Sequence, residues 1–542
     1  MRIAGISVRD VAEAEKTNEI NFDRMIQDAL KLLKGEIEIA GADQDEIRDQ
    51  LLGGYSHILV DEYQDIDQDQ YDLVSAIAGR TLEEGEGRLS ILAVGDDDQN
   101  IYAFRGANVQ FIRKFIEDYP AQTIHLVENY RSSKHIINAA NQLIRNNRDR
   151  MKGKYPIRVN RDRESSKAGG KWSLIDPVSM GRVQIITIQN HYHQAVSVLT
   201  ELERIQRLSP DLLLEECAIL SRTKNVLSQA RSVLEQAGVP VKVALEKSFP
   251  LHRVREIVTF IDLLKQQGSD NRRTSEIIDM FSDSITNNGE NIWQLMIKQF
   301  LESYRDETAD VILPIGWVLD SFFEFIAEQQ REKVLGNGIF HGTIHSAKGM
   351  EFPHVFILDG DWSIPQGASR WEEERRILYV AMTRAKETLT MMKAASKPNP
   401  FIKELKGESI ISRKSQVKVE NYKIKNFYNY EILGLNDIFM DYAGGFPSNH
   451  LIHKHISNLE TSSEVFLING MKGVEIHDHE NYCVARLANN TSQKWSTQLN
   501  SIHKVRTLAM IRRNNKDPDE SFKDRIKTET WDLPILEIVR KA

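Results

Sequence analysis

Short apolar runs that end in polar residues recur along this chain, and they constrain its fold more than any other feature. The clearest of them are "HILVDE" (57–62), "LSILAVGDDD" (89–98), "IHLVENYR" (124–131), "VQIITIQN" (183–190), "CAILSRT" (217–223) and "HVFILDGD" (354–361). Apolar runs of this length, separated by helix-like segments, are typical of buried strands in a parallel sheet. Ligands of open α/β sheets bind beyond the carboxyl ends of the strands, so the polar run ends predict a binding edge.

Length and composition limit the class of protein further. The 542 residues, with 41% hydrophobic and 27% charged content, are those of an ordinary globular protein, and about two to four domains are expected. The only cysteines are Cys217 and Cys483, which excludes a disulfide framework and favours a reducing compartment. No apolar run reaches about 18 residues, and the N-terminus lacks the apolar core of a signal peptide. We therefore expect a cytoplasmic protein with no membrane partner.

Two later parts of the chain have a different pattern. Between residues 251 and 337, "VREIVTFIDLLKQQ" and "IGWVLDSFFEFIAEQQREKVL" have helical periodicity without a strand signal, which predicts a helical insertion. After residue 400, aromatic residues, a Gly-Gly pair at 444–445 and short runs such as "SEVFLI" and "YCVARLA" predict a separate module rich in β-structure.

A basic run extends from Arg145 to Lys171, although the whole chain carries a net charge of −8. The run holds ten Lys or Arg residues against three Asp or Glu residues, and such a surplus can contact phosphates. A solvated surface loop is the other interpretation, and it is the one we favour for the run taken alone.

The stretch "ILVDEYQDID" (58–67) places Asp61 and Glu62 directly after a predicted strand. Phosphoryl transfer needs one carboxylate to hold Mg²⁺ and a second group to orient or deprotonate the attacking water. Two adjacent acids can divide these tasks, although an apolar run followed by Asp-Glu also occurs by chance.

A second strand end, "AVGDDDQNIYAFRGA" (93–107), combines phosphate chemistry with aromatic stacking. The amide of Gln99 can sense a γ-phosphate, Tyr102 and Phe104 offer flat rings to unstacked bases, and Arg105 can contact a nucleic-acid backbone. Core packing is the alternative for the two aromatic residues. Together with the acid pair, this stretch predicts a loop that touches a nucleotide on one side and a strand on the other.

Three further segments, taken here in their order along the chain, supply charged residues. "ENYRSS" (128–133) contains Tyr130 and Arg131, "GTIHSAKGMEFPHVFIL" (342–358) contains Glu351, and "EEERRILYVAMTRAKETL" (372–389) is a helix ending at Arg384. Charge compensation in phosphoryl transfer often uses arginines brought in from another domain. Each arginine taken singly is typical of a surface salt bridge, but the ordered set favours a shared site.

These five segments resemble, nearly residue by residue, motifs II to VI of superfamily 1 DNA helicases of the UvrD/Rep/PcrA type. The resemblance implies an α/β protein with two RecA-like parallel-sheet lobes, moving 3′ to 5′ along single-stranded DNA while it hydrolyses ATP with Mg²⁺. It divides the chain into a partial first lobe (1–125), a second lobe in two parts (126–250 and 338–400), a short helical insertion similar to the 2B subdomain (251–337) and a C-terminal accessory module (401–542).

The resemblance also implies a role for each matching residue. Asp61 would hold Mg²⁺, and Glu62 would activate water. Gln99, Arg131 and Arg384 would contact the γ-phosphate. Tyr130 would stack on adenine, and Glu351 would bind the ribose. The DNA track would consist of Tyr102, Phe104, Arg105, Thr343 and His345. Phe104 stands where the family usually has tryptophan, so base stacking there is expected to be weaker.

One family element, the phosphate-cradling loop G-x-x-x-x-G-K-[ST] (Walker A), has no match in the sequence. In the family this loop precedes the "DEYQD" strand by roughly one domain length, whereas 60 residues precede Asp61 here. The first lobe is therefore expected to be incomplete, with an upstream segment or separate chain supplying the loop. The tail ("YEILGLNDIFMDYAGGFPSNHLIH" and "DPDESFKDRIKTETWDLPILEIV") resembles that of bacterial proteins in which a RecQ-like helicase precedes a UvrD-like one.

Two classes of function remain open at this point. One is a motor ATPase, the C-terminal part of a longer or split protein, acting on single-stranded or partly duplex DNA. The other is a non-hydrolysing DNA-binding or regulatory remnant; the intact acids and arginines favour the motor. A metal site near Cys483 is less favoured than surface histidines because no cysteine pair is present. The histidines concerned are His450, His453, His455, His477 and His479.

Overall fold

The apolar runs of the sequence form strands of parallel sheets, and the predicted mixed α/β architecture is confirmed. The computed structural model describes residues 22–36, 51–80, 88–102, 110–244, 249–268, 270–284, 291–332, 334–335, 338–362, 367–418, 426–518 and 520–541. Within these ranges, a large parallel sheet and a separate antiparallel sheet dominate the molecule. No helix in the same ranges is long and apolar enough to cross a membrane.

The first lobe contains a small parallel sheet. Its described elements are α1 (Phe22–Leu33), β1 (His57–Val60), α2 (Gln68–Ile77), β2 (Ser90–Ala93) and α3 (Gln110–Asp118). Strands β1 and β2 pair in parallel, and a small cluster of buried side chains, mostly aromatic, packs beside them. Leu59 and Leu92 lie on these strands but remain 76% and 57% exposed. One face of the sheet is therefore apolar and open to solvent.

The first part of the second lobe alternates strands with helices, as expected for a doubly wound sheet. Its elements are β3 (Glu128–Asn129), α4 (Lys134–Ile144), β4 (Arg158–Val159), α5 (Trp172–Ile175), β5 (Val183–Ile188), α6 (His191–Leu208), β6 (Cys217–Ser221), α7 (Lys224–Gln236) and β7 (Val241–Ala244). Strands β5 and β6 are almost completely buried, which explains their continuous apolar sequence.

The insertion that follows β7 is mainly helical, with short strands at its margins. It comprises α8 (Arg255–Gln266), β8 (Asn271–Arg272), α9 (Thr274–Ser284), α10 (Ile292–Glu307), β9 (Leu313–Pro314), α11 (Ile315–Glu332) and β10 (Val334–Leu335). The pairing of β8 with β9 and of β10 with β7 is antiparallel. These strands are two residues long and carry no alternating apolar pattern, so periodicity alone did not predict them.

The chain then returns to the second lobe and completes its sheet. The returning elements are β11 (Ile339–Thr343), β12 (Phe352–Ile357), α12 (Ala368–Met382), β13 (Ala385–Ala394) and β14 (Ile410–Lys414). The sheet order is β10-β7-β11-β6-β12-β13-β5-β14, in which the seven strands from β7 to β14 are parallel. Helices α4 and α12 pack on one face and α6 and α7 on the other. Arg384 directly precedes β13 and donates a hydrogen bond to Gln99 of the first lobe at 3.2 Å, so the amino end of this strand faces that lobe.

The C-terminal part forms a six-stranded antiparallel sheet in the order β15-β20-β19-β16-β17-β18. Its elements are β15 (Tyr428–Leu433), α13 (Leu451–Ser457), β16 (Glu464–Gly470), β17 (Gly473–His477), β18 (Cys483–Arg486), α14 (Asn489–Ser496), β19 (Ile502–Asn514), α15 (Glu520–Lys523) and β20 (Thr530–Lys541). The prediction of a β-rich module after residue 400 is confirmed by this sheet.

Two observations bear on the predicted domain boundaries. Strand β14 pairs with β5, so the sheet of the second lobe continues past residue 400, because an edge position beside β5 is still available to the chain. The helical insertion also shares one hydrophobic core with the C-terminal sheet. Trp293 of α10, for example, donates its indole N–H to the Leu508 carbonyl oxygen of β19 at 3.2 Å. The five-part division otherwise stays a prediction.

Candidate active site at the lobe junction

Asp61 and Glu62 follow β1 directly and are both exposed. The Asp61 carboxylate accepts a hydrogen bond from the Glu62 backbone N–H at 2.8 Å. Glu62 has a left-handed backbone, with φ of 51° and ψ of 38°, which is uncommon for a residue other than glycine. Such conformations persist where the surroundings enforce them, often at functional sites. The turn directs two acidic side chains into the cleft between the lobes.

Gln64 connects this acid pair to the second strand end, and sequence reasoning missed it. Its side chain is 1% exposed and donates to the Glu62 carboxylate. Its amide oxygen accepts from the Asp96 backbone N–H at 2.9 Å. A Cβ atom at Gly95 would lie 2.7 Å from that oxygen, so glycine is needed for the close approach. The position of Gln64 within "DEYQD" was the signal that could have revealed it.

Gln99 reaches across to the second lobe. It ends a short 3₁₀ turn after β2, where its side-chain amide donates to Asp96 at 2.8 Å. Its amide oxygen accepts from the Arg384 guanidinium at 3.2 Å. Two predicted site residues that are 285 positions apart in the sequence are therefore in direct contact.

Arg384 lies just after α12 and is 2% exposed. Its hydrogen bonds within the described chain go to neutral oxygens of Val380, Met350, Thr383 and Gln99. Burial and then the nearby Arg131 charge lower the pKa of Arg384 to about 10, which still leaves it protonated at neutral pH. A buried guanidinium held by neutral acceptors is suited to receive an anionic group.

Arg131 and Glu351 form an ion pair at the same junction. Lys386 pairs with the other oxygen of the Glu351 carboxylate, and this hydrogen bond, with Arg131, lowers the pKa of Glu351. The predicted ribose ligand thus neutralises two cations here, and Lys386 is a second residue that sequence reasoning missed. Tyr130 is 70% exposed, so one face of its ring is accessible for stacking.

Lys348 is a third missed residue and links the two lobes most directly. Its side chain is only 6% exposed, and its ammonium group pairs with Asp65 and lies 3.7 Å from the Glu62 carboxylate. It also donates to the Gln99 carbonyl oxygen at 3.0 Å. The loop after β11 therefore contacts the segments that follow both strands of the first lobe. The signal in the sequence was the Lys-Gly of "HSAKGMEF".

The structure describes three of the five residues predicted for the DNA track. Tyr102 donates its hydroxyl to the His345 carbonyl oxygen at 3.1 Å, and the two ring centroids are 6.0 Å apart. Thr343 ends β11, and its hydroxyl oxygen accepts from the Ser346 backbone N–H at 3.3 Å. These three residues lie beside the Lys348 loop. Phe104 and Arg105 lie outside the described residues.

The basic run has a role that neither sequence interpretation covered. Arg150 makes two hydrogen bonds to Asp98, at 2.8 and 2.6 Å, and Asp98 is fully buried. Lys152 pairs with Asp96 at 2.5 Å. Buried carboxylates need such partners, so for these two residues the surface-loop interpretation is wrong. They neutralise the aspartates that precede Gln99 and fasten that turn to the second lobe.

The residues at the junction suit two features of a bound magnesium–ATP complex, its metal ion and its negatively charged phosphates. Asp61 offers an exposed carboxylate, and Mg²⁺ is often bound by one or two carboxylates together with phosphate oxygens. Arg131, Arg384 and Lys348 supply positive charge across the cleft, and the nearby Glu62 charge offsets part of the lowering of the Arg384 pKa that burial and Arg131 cause. A third element of such a site, a Gly-rich loop around the phosphates, has no counterpart in the sequence.

Comparisons with known proteins agree with this geometry. The UvrD/REP helicase N-terminal domain matches residues 7–120, and the UvrD-like helicase C-terminal domain matches residues 124–311 and 303–396, about half of the chain. DNA helicase II of Haemophilus influenzae is 27% identical over 454 residues, 66% of this chain and 59% of its own length. The PcrA helicase of Staphylococcus aureus is 26% identical over 513 residues, 76% of this chain and 65% of its own length.

The chain thus spans about three fifths of the length of these curated relatives. A solved structure, the C-terminal domain of a possible DNA helicase from Lactobacillus plantarum, has a TM-score of 0.25 and 12% identity, covering 52% of this chain and 98% of its own. So low a score supports no structural argument. Gln99 lies within the first domain match and Arg384 within the second, and the two matches show that this chain belongs to the UvrD-like helicase family.

Proposed function

We propose that this chain is the part of an ATP-dependent, UvrD-type DNA helicase that couples hydrolysis to 3′-to-5′ movement along single-stranded DNA. The observation that carries the proposal is the contact between Gln99 of the first lobe and Arg384 of the second. A side chain that touches both lobes changes its contacts when they close or open. Such a contact is suited to report the state of a nucleotide bound between them.

In this proposal, the acids and cations of the junction divide the work. Asp61 would hold Mg²⁺, which supplies charge neutralisation to the phosphates when bound. Glu62 would orient and deprotonate the attacking water. Arg131 and Arg384 would stabilise the charge that develops on the terminal phosphate. Arg131 can do so only when it separates from Glu351, which is then free to bind the ribose beside an adenine stacked on Tyr130.

The DNA strand would run past the Lys348 loop. Tyr102 and His345 present adjacent rings there, and aromatic rings stack on bases without sequence preference. Lys348 donates to the Gln99 carbonyl oxygen and lies 3.7 Å from the Glu62 carboxylate, and its ammonium group is 5.1 Å from the centre of the Tyr102 ring. We propose that this lysine transmits the nucleotide state to the strand, with Phe104, Arg105 and Thr343 completing the track.

Hydrolysis also requires backbone N–H donors and a lysine around the phosphates. A Gly-rich phosphate-binding loop supplies both, and this sequence contains no such loop. We propose that a further segment, in the same or another chain, supplies the phosphate-binding loop. The exposed apolar faces of Leu59 and Leu92 support this proposal, because such residues are normally covered in a sheet of this fold. The same missing loop favours a second candidate, a non-hydrolysing DNA-binding remnant.

Measurement of ATP hydrolysis with and without single-stranded DNA tests the proposal. We expect DNA-stimulated turnover only when the chain is joined to a segment carrying a phosphate-binding loop. In that joined protein, Glu62→Gln should abolish turnover but spare nucleotide binding, because a carboxamide cannot take the proton. Arg384→Ala should slow turnover about a thousandfold or more.

Matched controls come from the same lobes. Glu117 on α3 and Arg370 on α12 are both exposed, so Glu117→Gln and Arg370→Ala should leave the rate unchanged. Strong DNA-stimulated hydrolysis by the chain alone, lost in Glu62→Gln, would contradict the requirement for an added loop. If every loop-bearing fusion stays inactive while single-stranded DNA still binds, the remnant is the better assignment.

A further inference from the structure

Three potential metal ligands meet at one edge of the C-terminal sheet, far from the nucleotide site in the sequence. Glu475 and His477 lie two residues apart on β17 and therefore share a face of the strand. Cys483 begins β18. A carboxylate oxygen, an imidazole nitrogen and the Cys483 sulfur all lie within 4.8 Å of one another.

An irregularity in the strand pairing creates this arrangement. Ile476 pairs with Ala485, so regular pairing would place Val484 opposite His477. The register shifts at this point, and Cys483 stands opposite His477 instead. Bulges of this kind redirect side chains and are often found at functional positions. The shift brings the thiol to the face that already carries the imidazole and the carboxylate.

Both ring nitrogens of His477 face hydrogen-bond acceptors. One ring nitrogen, Nδ1, lies 3.0 Å from the Asn481 carbonyl oxygen, and the other, Nε2, lies 3.1 Å from the Glu475 carboxylate. Both neighbours are acceptors, but a neutral imidazole carries only one N–H. If Nδ1 donates to the carbonyl oxygen, the lone pair of Nε2 faces a carboxylate. A proton or a metal ion between them resolves the conflict.

Each of the three side chains is also held by a neighbour. The second oxygen of Glu475 accepts from the Arg486 guanidinium at 2.9 Å. The Tyr442 hydroxyl lies 3.3 Å from the Cys483 sulfur, and Asn481 orients His477. Ligands of protein-bound metals are typically fixed by such outer hydrogen bonds, which set their orientation and tautomer. A chance contact of three polar residues does not require all three supports.

We propose that Glu475, His477 and Cys483 bind a zinc ion, with a fourth position open to water. A mixed set of sulfur, nitrogen and oxygen donors suits Zn²⁺, whereas Mg²⁺ and Ca²⁺ prefer oxygen alone. Bonds of about 2.0–2.3 Å need only small movements of these side chains toward a common centre. The ion fastens β17 to β18 at the edge of the sheet.

Two other histidines of this region, His453 and His455, are engaged elsewhere. His455 pairs with Asp478 at 2.6 Å and stacks on the Tyr482 ring, and His453 contacts the Phe446 carbonyl oxygen. The His479 side chain is 72% exposed. His479 is therefore a suitable control, because it lies two positions from His477 but outside the cluster.

Titration of the metal-free full chain with Co²⁺, followed by displacement with Zn²⁺, tests the proposal. We expect one equivalent to bind, with a thiolate-to-cobalt charge-transfer band that zinc removes. Cys483→Ser should abolish the band, and His477→Gln should weaken zinc binding by about a hundredfold or more. Tyr442→Phe, which removes only an outer hydrogen bond, should weaken it about tenfold, and His479→Gln should leave it unchanged.

Circular dichroism of each variant separates loss of the site from loss of the fold. If Cys483→Ser does not fold, the comparison of His477→Gln with His479→Gln decides the question. Absence of the charge-transfer band in the folded unsubstituted chain would overturn the proposal, as would equal zinc affinity in His477→Gln and His479→Gln.

Discussion

Gly95 shows how a single atom can control the geometry of the junction. It lies between β2 and the Asp96 turn, and a Cβ atom there would meet the Gln64 amide oxygen at 2.7 Å and the Gln64 backbone nitrogen at 3.2 Å. The Gln64 side chain would have to leave the Asp96 N–H, which would then be unsatisfied. Gln64 is buried, so little room exists for an alternative rotamer.

We therefore expect Gly95→Ala to lower the free energy of unfolding by about 1–3 kcal/mol, from overpacking and a lost hydrogen bond. Urea unfolding measured by fluorescence checks this value. Gly54→Ala is the matched control, since nothing lies within 4 Å of a Cβ atom at Gly54, and its effect should stay within about 0.5 kcal/mol. Equal effects of the two substitutions would show that the Gln64 contact is unimportant.

Substitution of Phe104 tests the predicted DNA track at the scale of a single residue. Stacking of a base on an aromatic ring contributes about 1–3 kcal/mol, so Phe104→Ala should weaken the binding of single-stranded DNA about tenfold or more. A fluorescence titration at fixed salt measures the change. Phe439→Ala removes another aromatic ring, 41% exposed and in the C-terminal sheet domain, and should have no effect. Unchanged affinity in Phe104→Ala would remove this residue from the track.

Sequence reasoning found the junction residues whose positions are revealed by their immediate neighbours in the sequence. Asp61, Glu62 and Gln99 follow strands that their own neighbours predict. Lys348 and Lys386 were missed because the carboxylates that they pair with lie in other segments of the chain. Lys348 and Gln99, for example, are 249 positions apart. Only the assembled fold shows that Lys348 meets Glu62 and Asp65 of the opposite lobe.

At the scale of elements, helix α7 joins the second lobe to the C-terminal sheet through buried charges. Arg231 on α7 makes two hydrogen bonds to Glu537 of β20, at 2.7 and 2.9 Å, and Glu537 is fully buried. Arg506 of β19 reaches the same carboxylate, and Glu235 binds both Arg231 and the Tyr430 hydroxyl. The charges compensate one another only while the two elements stay docked.

Removal of one member should therefore be costly. We expect Arg231→Met to lower the free energy of unfolding by about 3–5 kcal/mol, because Glu537 loses a partner inside the protein. The double variant Arg231→Met/Glu537→Gln should recover part of this loss, since no buried carboxylate remains. Thermal and urea unfolding of the single and double variants give the coupling energy. Lys298→Ala, which removes an exposed i, i+4 pair, should change stability by about 0.5 kcal/mol or less.

The same network gives a direction for the pH dependence. Burial raises the pKa of Glu235, but the Arg231 and Arg506 charges outweigh it and hold the pKa below the ordinary value of 4.5. A carboxyl group with a lowered pKa in the folded state stabilises the fold above that ordinary value. This stabilisation is lost as the pH falls through the lowered pKa. Arg231→Met should therefore show a shallower loss of stability in acid than the unsubstituted chain.

At the scale of the molecule, the helical insertion and the C-terminal sheet behave as one packing unit. They share a hydrophobic core, and Val254 forms a backbone bridge to Ile511 of β19. Periodicity predicted the helices and the strands separately, because each pattern is local. The packing of one on the other depends on contacts across about 200 positions, which no window of sequence contains.

We expect the two segments to lose protection together in hydrogen exchange. Trp293 of α10 is fully buried in the shared core, so Trp293→Ala should destabilise it by about 3–5 kcal/mol and raise exchange in both 251–332 and 428–541. Trp172→Ala is the control, since Trp172 is equally buried but packs in the second lobe. Faster exchange confined to the insertion in Trp293→Ala would show that the C-terminal sheet is a separable module.

The shared core has a consequence for the synthesis of the chain. The last helix of the insertion ends at Glu332 and the last strand of its packing partner ends at Lys541, so the ribosome must add about 200 residues between them. At about 5–20 residues per second, the apolar faces of α8, α10 and α11 are left without their final cover for roughly ten to forty seconds. The nascent polypeptide is therefore most vulnerable to aggregation during this interval, and ribosome-associated chaperones are expected to engage it then.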